Sequence, residues 1–135
     1  MSTQLHPYLN FDGRTEEAMR FYAQAIGGEL TLMRMGDSPM PVPEEVKNRI
    51  MHAGLRLPGL TLMASDSRPG EPVVNGNSVH LSLNFDSPEA QDAAWNGLTE
   101  GATVTMPLAQ QFFGRFGVLT DKFGMSCMLH YNKEG

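Results

Sequence analysis

Two histidines of this chain occupy equivalent positions of an internal repeat. His6 lies in the segment LHPYLNFD at 5–12 and His80 lies in VHLSLNFD at 79–86, and five of the eight positions are identical. Imidazole nitrogens are common metal ligands, and two copies of a repeat could each bring one ligand to a shared ion. His6 and His80 are therefore candidate metal ligands.

A third histidine, His52, has a residue type and a context that suit proton transfer. It alternates with Met51 and Ala53 in a segment predicted as a strand, and Arg56 falls on the same face. The ordinary pKa of histidine, about 6.5, suits a general base near neutral pH. His52 is thus a candidate catalytic base, and a structural histidine is the alternative.

An aromatic and basic cluster near the C-terminal end offers a second type of chemistry. Phe112, Phe113, Arg115 and Phe116 could clamp a planar or anionic ligand, with core packing plus a surface charge as the alternative. Cys127 has apolar neighbours and is expected to be a buried, unreactive thiol.

The elements that must position these residues repeat as well. Period-two alternation of apolar residues predicts a first strand in each half, at 5–12 and 79–86. A helix follows each strand. Thr15 is the expected N-cap of the first helix, and Ser87 is the expected N-cap of the second, with Pro88 at the first helical position.

Three further strands are predicted in each half. They lie at 29–35, 50–57 and 60–65 in the first half, and at 102–108, 114–120 and 125–131 in the second. A short helix is expected at 44–48, and Asp66 and Asp121 are expected to form Asx turns after their strands.

The order strand, helix and three strands therefore occurs twice. The first repeat spans about 4–67 and the second about 78–132, within one predicted domain, 1–135. A four-stranded sheet with one helix leaves its other face bare, so neither repeat is expected to be stable alone.

The bare faces carry the residues that alternate with the apolar ones. If the apolar side chains pack on the helices, the intervening residues lie on the bare faces. In the first strands these are His6, Tyr8 and Asn10, with His80, Ser82 and Asn84; in the last strands they are Thr61, Met63 and Ser65, with Ser126, Met128 and His130.

Composition excludes several classes of function. A net charge of −5 and no basic cluster argue against nucleic-acid binding. No apolar run has the length of a membrane span, and no signal peptide is recognisable at the N-terminus. A single cysteine cannot form an internal disulfide, so a cytoplasmic location is expected.

Three segments carry a resemblance to a known superfamily: PYLNFDG…EEAMRFY at 7–22, GLTLMASD at 59–66 and FGVLTDKFGMSCML at 116–129. The chain resembles the vicinal oxygen chelate (glyoxalase/bleomycin resistance/dioxygenase) superfamily. Within it, the chain looks like the PhnB-like branch, often labelled 3-demethylubiquinone-9 3-methyltransferase-like. The resemblance implies an α+β fold of two tandem βαβββ repeats, forming a curved, mostly antiparallel open barrel, and a homodimer.

The resemblance also allows a test for metal binding. Metal-dependent members hold an ion with four side chains, one from the first and one from the last strand of each repeat. His6 and His80 match the first-strand ligands, but Met63 and Met128 stand where those relatives carry carboxylates. Hard divalent ions prefer oxygen ligands, so a divalent metal is disfavoured, and copper(I) would suit two thioethers better.

The sequence therefore predicts a protein that holds a small organic ligand in a metal-free cup, with no cofactor. The alternative is a metal-dependent lyase, isomerase or dioxygenase that uses His6 and His80. A methyltransferase is disfavoured because no glycine-rich nucleotide loop is recognisable. The predicted ligand-binding residues are His6, Tyr8, His52, Met63, His80, Phe113, Arg115 and Met128.

Overall fold

The strand–helix–three-strand order occurs twice in the computed structural model, which describes residues 2–133. The first set is β1 (Tyr8–Phe11), α1 (Thr15–Ile26), β2 (Glu29–Arg34), β3 (Ile50–Leu57) and β4 (Leu60–Asp66). The second set is β5 (Leu81–Phe85), α2 (Pro88–Leu98), β6 (Thr103–Gln111), β7 (Gly114–Thr120) and β8 (Ser126–Tyr131). The predicted α+β class and the two βαβββ units are confirmed.

The two four-stranded sheets share one topology. Their strand orders are β1-β4-β3-β2 and β5-β8-β7-β6. In each sheet the first strand runs parallel to the last, and the other pairs are antiparallel. Tyr8 pairs with Met63 in the first sheet, and Ser82 pairs with Met128 in the second. Met63 and Met128 therefore occupy equivalent positions, as the sequence predicted.

The first strands are shorter than predicted. Pairing begins at Tyr8 and at Leu81 instead of at residues 5 and 79. Pro7 lacks an N–H and so cannot donate to a ladder, although its carbonyl still accepts from Met63 N at 3.1 Å. The predicted short helix is a single 3-10 turn over Glu44–Val46.

The start of α1 differs from its predicted cap. Arg14 occupies the N-cap position without a side-chain cap, and Thr15 is the first helical residue. The buried carboxylate of Asp66 accepts from Thr15 N at 3.1 Å, from Thr15 Oγ1 at 2.7 Å and from Ile50 N at 2.8 Å. The predicted Asx-turn role of Asp66 is wrong, because this carboxylate instead joins the helix start to β3 and β4.

Two other predictions about turns and caps are confirmed. Ser87 Oγ accepts from Ala90 N at 3.1 Å, with Pro88 at the helix start. Asp121 Oδ1 accepts from Phe123 N at 2.9 Å and from Met125 N at 3.0 Å, which is the Asx-turn geometry.

Each sheet buries one face under its helix and leaves the other open. Alternate strand residues are buried together with one stripe of each helix. In the first unit these are Leu9, Phe11, Ala18, Met19, Tyr22, Leu55, Leu62 and Ala64; in the second they are Ala94, Leu98, Leu119, Cys127 and Leu129.

The edge strand β6 is long and irregular. Its register with β7 shifts between Val104 and Met106, and again between Met106 and Ala109. Pro107 lies inside the second irregular stretch.

The chain divides into two compact units. One comprises the first 74 residues except 24–26, and the other comprises 24–26 and the chain from Asn75 onward. No helix within residues 2–133 combines the length and the hydropathy that crossing a membrane requires.

Candidate functional site

The open face of the first sheet carries a continuous row of four residues. Tyr8 pairs with Met63, Met63 pairs with Gly54, and Gly54 pairs with Thr31. The row therefore crosses all four strands, from β1 to β2. Tyr8 is 45% exposed and Met63 is partly buried, so apolar surface on this face is accessible.

The side chains of Tyr8 and His52 contact each other on this open face. Tyr8 Oη lies 3.3 Å from His52 Nδ1, and the ring centroids are 5.9 Å apart at a tilt of 40°. When Tyr8 donates its hydroxyl proton to Nδ1, the neutral imidazole carries its own proton on Nε2. The structure thus brings two predicted ligand-binding residues together, with Nδ1 of His52 directed to Tyr8.

Gly54 has no side chain in the middle of the face. A Cβ at this position would lie 3.4 Å from Thr31 Oγ1 and 4.0 Å from His52 Nε2. Gly54 has no positive φ, so its backbone conformation does not demand glycine. Gly54 is itself buried, and we name the position of its missing side chain, beside Thr31, His52 and Met63, the Gly54 notch.

His6 lies apart from this row. It lines a groove of about 490 Å³ beside the β3–β4 turn, and its Nε2 lies 3.2 Å from Gln4 Oε1. The groove is formed by Gln4, Leu5, His6, Pro7, Leu57, Gly59, Leu60 and Thr61. Arg56 lies in a neighbouring cross-strand row, where it pairs with Thr61 of β4 and with Glu29 of β2.

The open face of the second sheet is organised around His130. Its Nδ1 lies 3.1 Å from Asn84 Oδ1, and its Nε2 lies 3.0 Å from the carbonyl oxygen of Phe113. A carbonyl only accepts, so Nε2 carries a proton in this arrangement. The Phe113 ring stacks on the imidazole at 6.1 Å, and Phe116 lies 6.3 Å away. Both nitrogens of His130 are therefore engaged.

The row equivalent to the Gly54 notch is filled in the second sheet. Ser82 pairs with Met128, Met128 with Val118, and Val118 with Met106. Val118 thus stands where the first sheet has Gly54, and its side chain closes the middle of the face.

The structure directs Arg115 away from this face. Arg115 turns toward α2, where its guanidinium lies 2.6 Å from Asp92 Oδ1 and 3.3 Å from Gln91 Oε1. Arg115 therefore points away from the aromatic cluster of Phe113. His80 is exposed and precedes β5.

Cys127 matches its predicted character. The thiol is buried on the helix side of β8, and burial, followed by the nearby Asp121 carboxylate, raises its pKa to about 12. Because the thiolate is the reactive form, this cysteine is a poor nucleophile at neutral pH.

The donors at the four positions implied by the superfamily do not fit a hard divalent ion. The first unit offers His6 and Met63, and the second offers His80 and Met128, with no carboxylate among them. Within residues 2–133, no group of three His, Cys, Asp or Glu side chains converges on a common point. Two imidazoles and two thioethers lack the oxygen ligands that magnesium, calcium or manganese prefer.

Comparison with solved structures finds the same fold in other proteins. A domain from Frankia described as glyoxylase/bleomycin resistance protein/dioxygenase shares the fold, with a TM-score of 0.70 at 20% identity, covering 100% of this chain and 95% of that one. The repeated βαβββ architecture is thus shared with that domain.

The family follows from the sequence profile and from closer structures. The profile of the family described as 3-demethylubiquinone-9 3-methyltransferase matches residues 3–129, and the chain belongs to this family. Protein PA1353 of Pseudomonas aeruginosa is 40% identical with a TM-score of 0.87, covering 97% of this chain and 98% of that chain. The PhnB protein of Bacillus cereus is 27% identical with a TM-score of 0.79, covering 96% and 100%.

Proposed function

We propose that this protein binds a small organic molecule on the open face of its first sheet, without a metal ion. The Gly54 notch carries the proposal, because a side chain is missing there between the Tyr8–His52 pair and Met63. Sites for small molecules combine apolar walls with a few placed polar groups. Methionine and tyrosine supply the walls here, and the imidazole supplies the polar group.

The open face of the second sheet carries predicted contacts of its own. Phe113 is 40% exposed and stacks on His130, so its ring is an accessible apolar surface. Met128 is partly buried in the filled row of the same sheet. Phe113 and Met128 stay predicted apolar contacts on that face, whereas the Arg115 side chain is directed to α2.

Binding is tested with the neutral fluorescent probe N-phenyl-1-naphthylamine, whose emission rises in apolar sites. The wild-type protein should bind the probe saturably. Gly54→Val introduces the residue found at the equivalent position of the second sheet and should weaken probe binding at least tenfold by filling the notch. Val74→Ala removes exposed apolar surface from the connector between the units and should leave binding unchanged.

Thermal unfolding of each variant separates lost binding from lost folding. Equal probe affinity in wild type and in folded Gly54→Val would disprove the proposed site.

The alternative, a metal-dependent enzyme using His6 and His80, predicts a different result. Metal content is measured by plasma mass spectrometry after dialysis against divalent ions and copper(I). We expect no stoichiometric metal, since the donor set lacks carboxylates. A retained metal that is lost in His6→Ala or His80→Ala would favour the enzyme over metal-free binding.

We further propose that the protein works as a cytoplasmic homodimer. The buried Cys127 is compatible with a reducing compartment, and each sheet has two edge strands that a second copy could cover. Light scattering coupled to size-exclusion chromatography should give twice the chain mass of 14.9 kDa, and a monomer at micromolar concentration would contradict the dimer.

A further inference from the structure

We infer that the Gly54 notch recognises a carboxylate, held between the Nε2–H of His52 and the guanidinium of Arg56, on a ligand with an apolar body. The inference rests on the proposed function and names the chemical class of its ligand. It depends on three features of β3: the direction of the His52 imidazole, the absence of an ion pair at Arg56 among residues 2–133, and the absence of a side chain at Gly54 between them.

The spacing along β3 places the two donors on opposite sides of the notch. His52, Gly54 and Arg56 are alternate residues of one strand, so they share the open face. A strand rises roughly 3.3 Å per residue, so each donor residue begins about 7 Å from Gly54. The pairing of β3 with β4 is regular from Ala53 to Leu57, so no bulge disturbs this alternation beside the notch.

The imidazole presents its Nε2 to this space, and Nε2 is a donor when Tyr8 donates to Nδ1. His52 Nε2 lies 4.0 Å from the point that a Cβ of Gly54 would occupy, while Nδ1 is engaged by Tyr8 Oη at 3.3 Å. With the hydroxyl proton shared toward Nδ1, the N–H of Nε2 faces the notch. An oxygen of a ligand placed over Gly54 can accept this proton in a hydrogen bond.

Arg56 forms no ion pair with any residue in the range 2–133. Five other arginines form ion pairs: Arg14, Arg20, Arg34, Arg49 and Arg115. Arg56 is exposed and, among residues 2–133, no carboxylate oxygen lies within 4.0 Å of its guanidinium, although Glu29 is its register partner on β2. A free guanidinium beside a neutral donor suits a carboxylate, which can accept both bonds.

The rest of the face defines the body of the ligand. Met63 borders the notch on the β4 side, and the exposed ring of Tyr8 lies beyond it on β1. A thioether and an aromatic ring form favourable contacts with a flat apolar group. A small arylcarboxylate therefore matches both parts of the face.

The test compares benzoate with benzamide, which has the same ring and an uncharged head group. Dissociation constants are measured by titration followed with protein-observed NMR. Arg68→Gln is the control for Arg56→Gln, because it removes the same charge from an exposed residue outside the sheets. We expect benzoate to bind at least tenfold more tightly than benzamide. Arg56→Gln should abolish this preference, His52→Gln should reduce it, and Arg68→Gln should keep it.

The outcomes separate this inference from the proposed function. Equal affinity for benzoate and benzamide, or an equal effect of Arg56→Gln and Arg68→Gln, would overturn the carboxylate site. If N-phenyl-1-naphthylamine still binds in a Gly54-dependent way, only the ligand class is wrong. If neither the probe nor benzoate binds, the proposed function fails as well.

Discussion

The two sheets of this protein have the same strand order and equivalent register, but their open faces differ in chemistry. In the first sheet, Gly54 leaves a gap and His52 turns one nitrogen toward it. In the second sheet, Val118 fills the equivalent position and both nitrogens of His130 are held by neighbouring oxygens. Equivalent backbone pairing therefore does not give the two open faces the same chemistry, because one missing side chain changes which atoms a ligand can reach.

The helix starts differ in a parallel way. Asp66 reaches α1 from the end of β4, whereas Ser87 caps α2 from the residue just before the helix. The first helix therefore depends on a tertiary contact, and the second depends on a local one.

The largest expected effect contrasts two glycines. A Cβ on Gly114 would lie 2.6 Å from His130 Nε2 and 2.7 Å from the carbonyl oxygen of Tyr131, at a φ of +136°. Gly114→Ala should therefore lower the free energy of unfolding by about 3 kcal/mol, whereas Gly54→Ala should change it by less than about 1 kcal/mol. Urea denaturation of both variants measures the difference, and equal losses would show that the second face is no more tightly packed than the first.

The next effect compares the two helix starts. Asp66→Ala leaves three donors without their acceptor and should cost about 2 kcal/mol, since unsatisfied buried groups carry a large penalty. Ser87→Ala removes one cap hydrogen bond and should cost about 1 kcal/mol. Thermal and urea unfolding report both values. A larger loss of stability in Ser87→Ala than in Asp66→Ala would show that the local cap of α2 matters more than the tertiary contact at α1.

A smaller effect separates the two histidines. His130→Ala removes hydrogen bonds to Asn84 and Phe113 and a stacked ring, so it should destabilise the protein by about 1–2 kcal/mol. His52→Ala removes one long hydrogen bond to Tyr8 and should cost less than about 1 kcal/mol while weakening ligand binding. Stability and probe affinity are measured in parallel, and a purely structural His52 would lose stability without losing affinity.

The smallest effect concerns acid stability at α1. Hydrogen bonds from Arg34 and then Arg20 lower the pKa of Glu16 from 4.5 to about 2. This lowered pKa stabilises the fold above pH 4.5, and the contribution is lost as the pH falls toward about 2. Because the pair is partly exposed, Glu16→Gln should remove at most about 1 kcal/mol of this pH-dependent stability.

Glu89→Gln at the start of α2 is the control for that measurement, since Glu89 forms no ion pair within residues 2–133. Unfolding is followed by circular dichroism between pH 2 and pH 6. If Glu16→Gln and Glu89→Gln change the pH dependence of the free energy of unfolding equally, the hydrogen bonds of Glu16 to Arg34 and Arg20 do not contribute to it.

Much of the fold could be predicted from the sequence. Period-two alternation gave β3 and β7 with their observed ends, and the Ser87-Pro88 start of α2 follows from local capping chemistry. The alternation also placed Met63 and Met128 at equivalent inward positions. These features depend on contacts that are close in sequence or on a simple repeat.

The details of the site needed the tertiary structure. Asp66 looks like a turn residue in sequence, because its partner Thr15 is far away along the chain. The orientation of Arg115 depends on Asp92 of α2, and no local pattern encodes it. The sequence does not predict Gly54 as a site residue, because an absent side chain gives no chemical signal and only its cross-strand neighbours define its surroundings.

The irregular edge of the second sheet has a consequence for the behaviour of the protein at high concentration. A long, regular edge strand presents backbone groups that can template another chain and lead to fibrous aggregates. The register shifts around Met106 and the missing N–H of Pro107 interrupt that template on β6. The irregularity of β6 therefore disfavours the addition of further chains along this edge.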